Sequence, residues 1–279
     1  MHGNVTPMKM LSNLKLMLVV LLAGLLVACA SSEENVLRCE QHYNAKSYKV
    51  AQQYCKKAAK SGDAQAQYLY AMMLFRGLGV EVDSDEGGKW MARSAKQGYE
   101  KAVFHKTIYY LTTKDSDISL KQKEVALKTM QEFAENGDKV AQYWMGNTFY
   151  FGYIDNRKSY NEATYWYQLA VDQGNYQAMN NLAWIKVVSQ GSELFDPEQG
   201  LILSQRVAEK YPHSHGYLDT LAAAYAANQE FDKAVATQLK VIELASQDDC
   251  TKCDKLIDYY QIRLQLYLNK KPVVKSFEH

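Results

Sequence analysis

Proline is scarce. The chain has four in 279 residues, and only Pro197 and Pro212 fall within the region of helical patterning. Both stand at expected helix boundaries, so proline does not interrupt an all-helical reading. The apolar run Leu16–Val27 has twelve residues, too few for a membrane-spanning helix, which needs about twenty. Neither sign of charge prevails: 32 basic residues stand against 31 acidic ones. A nucleic-acid partner would call for a clustered basic excess, so none is expected. Nucleophile and metalloprotease motifs are missing as well. There is no G-x-S-x-G and no H-E-x-x-H, and the one S-x-x-K, Ser12–Lys15, lies in the apparent leader. No catalytic residue, metal or cofactor is expected.

Residues 1–28 read as that leader. Lys9 and Lys15 give a positive start, and Leu16–Val27 has the length of a signal-peptide core. Leu26-Val27-Ala28-Cys29 resembles a bacterial lipobox. The resemblance implies cleavage before Cys29 and lipidation of that cysteine; the alternative is an ordinary signal peptide with an accidental cysteine. Ala30, not aspartate, follows, which implies a lipid-anchored protein on the periplasmic side of the bacterial outer membrane. Residues 29–35 then form a tether. Two lysines and no acid leave with the leader, so the remainder is acidic by a single charge.

Glycine is also sparse, at 15 residues, but four of them keep a beat. Gly62, Gly98, Gly137 and Gly174 are each followed four residues later by alanine: Ala66, Ala102, Ala141 and Ala178. A period in the thirties signals stacked two-helix units. Eleven residues before each glycine stand Ala51, Gly87, Ala126 and Ala163, and nine after it Ala71, Thr107, Gly146 and Ala183. Small residues at fixed places allow helices to approach closely. Fifteen residues before each glycine stand Ser47, Asp83, Gln122 and Ser159. Three of these four suit a helix N-cap, and Asp83 with Glu86 and Ser159 with Glu162 have capping-box spacing. The anchor glycine follows the helix, where a left-handed residue is needed.

Two stretches carry a family resemblance: AAKSGDAQAQYLYAMMLFRGLGV (Ala58–Val80) and AVDQGNYQAMNNLAW (Ala170–Trp184). They resemble the Sel1-like repeat, a relative of the tetratricopeptide repeat. Gly77, Gly79, Val80 and Gly152 match its loop positions. The second unit departs from the pattern: its loop around Lys114–Leu120 is longer and lacks glycine. Tyr217–Leu244 resembles a tetratricopeptide repeat at Leu218, Leu221, Ala222, Tyr225, Phe231 and Ala234, but Gln238 stands where an aromatic is usual. The resemblance implies an all-α protein: a right-handed α-solenoid of stacked helix-turn-helix repeats. Sel1-like units would occupy 36–190. A tetratricopeptide-like unit and a capping helix over Lys255–Leu268 would occupy 191–268. The tail 269–279 is expected to be disordered.

Without Cys29 four cysteines remain, an even number that suggests disulfides in an exported protein. Cys39 and Cys55 flank the turn near Asn44-Ala45-Lys46 that joins the first two expected helices, and they are expected to pair. Cys250-x-x-Cys253 reads first as a local disulfide. Free thiols, or a metal site borrowing His213 and His215, are the alternatives. His213 and His215 by themselves read as exposed loop residues.

The resemblance implies an interaction scaffold for a protein or peptide partner in the cell envelope, bound along the first helices of the repeats. Ten residues after each anchor glycine stand Met72, Ile108, Asn147 and Trp184, and fourteen after stand Arg76, Thr112, Phe151 and Val188. Met72, Arg76, Ile108, Asn147, Phe151 and Trp184 are the candidate partner-binding set. Met72, Ile108, Phe151 and Trp184 suit packing between helices equally well. A cell-wall-active or β-lactamase-like, penicillin-binding protein is the rival class, without residues to support it.

Overall fold

The computed structural model describes residues 32–113, 118–247 and 253–275. Cys29, Cys250 and the side chain of Cys253 lie outside that description, and with them the expected lipid anchor and the C-x-x-C pairing. The described residues form thirteen helices and no strand. Helix α1 runs over 32–44. It is followed by α2 (Tyr48–Lys60), α3 (Ala64–Arg76), α4 (Ser84–Lys96), α5 (Glu100–Thr112), α6 (Leu120–Glu135) and α7 (Lys139–Phe151). Then come α8 (Tyr160–Asp172), α9 (Tyr176–Val188), α10 (Pro197–Lys210), α11 (His215–Ala227), α12 (Phe231–Ser246) and α13 (Cys253–Leu268). The chain divides into two compact units, 1–106 and 107–279, with the boundary inside α5.

All four anchor glycines are left-handed, with φ between +77° and +100°, and a Cβ on any of them would meet nothing within 4 Å. They are there for the turn. The small helical positions serve the opposite purpose. A Cβ on Gly146 would lie 2.4 Å from the Tyr167 ring, and one on Gly200 2.3 Å from Val187 Cγ1. At these places side chain lies directly on backbone.

The caps follow the expected beat with two departures. Asp83 accepts from the Glu86 amide (2.9 Å), Ser159 from Glu162 (3.4 Å), and Asp196 from Gln199 with Pro197 behind it. Ser47 precedes α2 without a side-chain cap. Gln122 is not a cap. It is the third residue of α6, and Ser119 caps instead, in a reciprocal box with the Gln122 side chain. The helix begins three residues early because serine plus a following glutamine satisfies two free N–H groups at once. A second series of caps follows the anchor glycines. Asp63, Asp138 and Asn175 accept from Ala66, Ala141 and Ala178 at 2.6–2.9 Å. Each contributes about 1 kcal/mol.

Unit 1 starts with the hairpin α1–α2, closed by a Cys39–Cys55 disulfide with Cα atoms 4.6 Å apart. Both cysteines are fully buried, beside Ala51, Ala58, Met73 and Trp90. At the next junction the Gln67 amide donates to Ala59 O (3.2 Å), and Gln97 donates to Gln67 Oε1 (2.9 Å). Unit 2 repeats the arrangement. Gln142 donates to Ala134 O (3.1 Å) and Gln173 to Gln142 Oε1 (2.8 Å).

The C-terminal part of unit 2 has the expected hairpin α11–α12 and the capping helix α13. Leu218, Leu221, Ala222 and Ala234 are buried. On α13 it is Tyr260 and Tyr267 that are buried, Leu256 and Leu264 are half-buried, and Ile262 is exposed. His215 is not a loop residue. It opens α11, with Nδ1 2.8 Å from the Tyr260 hydroxyl. The tail also departs from expectation over 269–275. After α13 the chain turns at Lys270 (φ +53°), whose amide meets Tyr267 O, and Val273 packs against the buried clusters of α9 and α11. The apolar surface between those helices gives Pro272–Lys275 something to bury, which the sequence alone did not reveal.

Candidate binding groove

In unit 2 one helix of each successive pair faces a common side, and a cavity of about 350 Å³ opens there. Tyr150 and Phe151 enter it from α7, Asn180, Asn181 and Trp184 from α9, Asp219 and Thr220 from α11, and Tyr259 and Arg263 from α13. Phe151 is 50% exposed and stacks on Tyr153 at 5.5 Å. Trp184 is half-buried beneath the Arg263 guanidinium, 4.4 Å from its ring centre, and Tyr259 holds the same cation at 4.3 Å. Arg263 is thus sandwiched between aromatic rings, an attraction strengthened where water is excluded.

The floor of the groove is polar. Arg263 donates to the Asp219 carboxylate and to the Tyr259 hydroxyl. Gln238, fully buried, donates to Asp219 Oδ1 (3.3 Å) and to Tyr260 O (3.2 Å). This accounts for its place in the tetratricopeptide-like unit. An aromatic there would leave Asp219 with one partner fewer. Burial pushes the Asp219 carboxyl above its ordinary range, although Arg263 and Gln238 pull the other way. A second network lies beside it. The Tyr167 hydroxyl donates to Asn147 Oδ1 (2.7 Å), and the Asn181 amide reaches both Asn147 Oδ1 (3.1 Å) and Tyr167 Oη (3.2 Å). Burial raises the Tyr167 hydroxyl far above the usual tyrosine range, so it stays a neutral donor.

Of the candidate set, Phe151 and Trp184 come together in this cavity. Asn147 is 3% exposed and positions Tyr167 and Asn181 from below. Val188 is fully buried. Ile108 and Thr112 are half-buried on α5. In unit 1, Met72 belongs to the apolar core and Arg76 is exposed at the end of α3. Arg76 faces half-buried Tyr43, Tyr68 and His105; Tyr68 lies 5.4 Å from Tyr99 and 5.7 Å from His105, ring to ring. Burial lowers the His105 pKa, and the Arg76 charge lowers it further. Sequence reasoning missed Asp219, Tyr259 and Arg263. The signal for them was present in the unusual Gln238, which stands where the repeat usually has an aromatic.

The arrangement suits binding. Among the described residues the cavity lining contains no serine, cysteine or histidine, and its one carboxylate is engaged by a guanidinium. Grooves that mix aromatic faces with a few fixed polar groups hold ligands in one orientation. No helix among the described residues is long and apolar enough to cross a membrane.

A family profile for the Sel1 repeat matches residues 45–63, 64–99 and 139–175. The unmatched stretch between the last two contains the early-starting α6 and the atypical loop. No curated protein matches the chain. Among solved structures, the chain is similar to a Sel1 repeat protein from Oxalobacter formigenes, with a TM-score of 0.57 and 24% identity over 82% of this chain and 95% of that one. It is also similar to a protective antigen present in uropathogenic Escherichia coli strains displaying an SLR fold, with a TM-score of 0.54 and 18% identity over 83% of this chain and 62% of that one. Three segments of the chain therefore match the Sel1 repeat, and its described residues share an all-α fold with these two structures.

Proposed function

We propose that this protein is an interaction scaffold of the bacterial cell envelope, anchored by a lipid on Cys29 to the periplasmic side of the outer membrane, and that its partner docks in the unit 2 groove. The cavity walled by Phe151, Trp184, Tyr259 and Arg263 is the observation that carries the reading. Sel1 repeats generally mediate contact between proteins, which supports it. The lipobox-like Leu26–Cys29 and a buried disulfide, stable in oxidising compartments, support the location. Phe151 is the residue to test, because it is exposed enough to be removed without opening the core. A photo-crosslinking side chain placed at Phe151 in cells should yield a defined adduct, and Phe151→Ala should weaken capture of the same partner by about 2 kcal/mol, the scale of an aromatic hot spot. The thermal midpoint should stay unchanged. Capture unaffected by Phe151→Ala would move the partner to another surface. In parallel, Cys29→Ser should abolish labelled palmitate uptake; continued uptake would refute the anchor.

A further inference from the structure

The groove of unit 2 is already partly filled, by the chain itself. After the reversal at Lys270 the strap runs back over α9 and α11, with Pro272 and Val273 both half-buried. Val273 is half-buried against Val187, Val188 and Ala223, Val274 is 55% exposed, and Lys275 turns inward again. Residues 271–275 belong to no helix or strand. The Lys275 amide donates to the carbonyl of Val188 (2.8 Å), the last residue of α9. Carbonyls in the last turn of a helix have no partner within it, so this acceptor is open to any extended chain. The Lys275 ammonium donates to the Tyr150 hydroxyl (2.9 Å) and lies 4.7 Å from the centre of that ring, 125 residues away in sequence. Lys275 also forms one wall of the cavity.

These contacts are those of a recognition site: one main-chain hydrogen bond, one apolar slot and one aromatic platform for a cation. None of them depends on the strap's being covalently attached. We propose that the groove receives an extended peptide with a β-branched apolar residue followed two positions later by lysine, and that Val273-Val274-Lys275 is its built-in occupant, which the partner must displace. This rests on the scaffold reading above and names both the ligand chemistry and its control. The selectivity has a physical basis. Pro272 donates no backbone hydrogen bond and stiffens the approach. An aromatic face favours a cation and repels a carboxylate. A tethered occupant acts at an effective concentration in the millimolar range, so it lowers the apparent affinity of a competing peptide by the fraction of time the groove is open.

The probe is a fluorescein-labelled peptide with the sequence of residues 269–275, followed by anisotropy. It is titrated into the full wild-type chain and into a full chain carrying Val273→Asp and Lys275→Glu, which frees the strap. The freed chain should bind the peptide about tenfold more tightly than wild type, the factor expected if the strap closes the groove nine-tenths of the time. A peptide with the Lys275 equivalent changed to glutamate should bind neither chain. In wild type, excess unlabelled peptide should speed hydrogen exchange at the Lys275 amide. Equal affinity for the two chains would overturn the strap as occupant. A folded freed chain that ignores the peptide would overturn the ligand chemistry. Should the freed chain fail to fold, exchange at the wild-type amide that stays constant up to millimolar peptide would overturn the proposal. Each of these failures leaves the Phe151 crosslink and its partner untouched, so the scaffold reading is judged separately.

Discussion

The two units are assembled from the same parts and use them for different ends. Both turn on left-handed glycines, and both fasten a helical junction with a glutamine pair: Gln67 with Gln97 in unit 1, Gln142 with Gln173 in unit 2. They part in how they use an arginine beside aromatic rings. Unit 1 places Arg76 at the surface, near tyrosines and His105. Unit 2 sinks its arginine, Arg263, to 5% exposure, pairs it with Asp219 and lays aromatic rings against it. The repeat framework therefore fixes spacing only. The identity of ten or so inward side chains decides what each stretch can hold.

The comparison can be broken most sharply at the buried pair. Asp219→Ala leaves Arg263 charged and without its carboxylate, and loss of one partner of a buried ion pair costs about 3–5 kcal/mol. Hydrogen exchange should show α11–α13 losing protection by that amount, with α2–α4 unchanged. Equal loss in both units would mean that they unfold as one. The next effect belongs to unit 1. Cys39→Ser with Cys55→Ser opens a loop whose ends are 16 residues apart, worth about 3 kcal/mol in the chain-entropy model. Chemical denaturation should register this drop in the transition that reports on α1–α4, and the α11–α13 transition should stay in place. The smallest effect concerns the shared part. Gln67→Leu and Gln142→Leu each remove a buried amide and strand a partner, at a cost of about 1–3 kcal/mol. The two losses should agree within about 0.5 kcal/mol if the pairs are equivalent; a clear difference would show that one junction depends on its pair more than the other.

The framework was legible because it repeats. Four glycines, the small positions beside them and serine or aspartate at a fixed offset place the helix pairs. The third repeat misled at Gln122 because the cap had moved to Ser119, outside the fixed offset. Cys39 and Cys55 could be matched across a short turn. The groove was only half legible. Phe151 and Trp184 stand at repeat positions, so counting from the glycine finds them. Asp219 and Arg263 meet across 44 residues, and Lys275 meets Tyr150 across 125. No local period records such meetings. Asp63, Asp138 and Asn175, each next to its anchor glycine, were readable as caps from the same count.

The bare backbone at Gly146 has a bearing on how this array can be rebuilt. The Tyr167 ring occupies the place a side chain would take, and its hydroxyl meets Asn147 and Asn181. Glycine, tyrosine and the two asparagines form one joint made by three helices, α7, α8 and α9. An engineer who excises a repeat between α7 and α8 separates the glycine from the ring that fills it. A cut at Gly174 keeps glycine and ring together and parts them only from Asn181. Modules of this protein are therefore best exchanged at the anchor glycines, with a new asparagine supplied at the position of Asn181 by whatever helix follows.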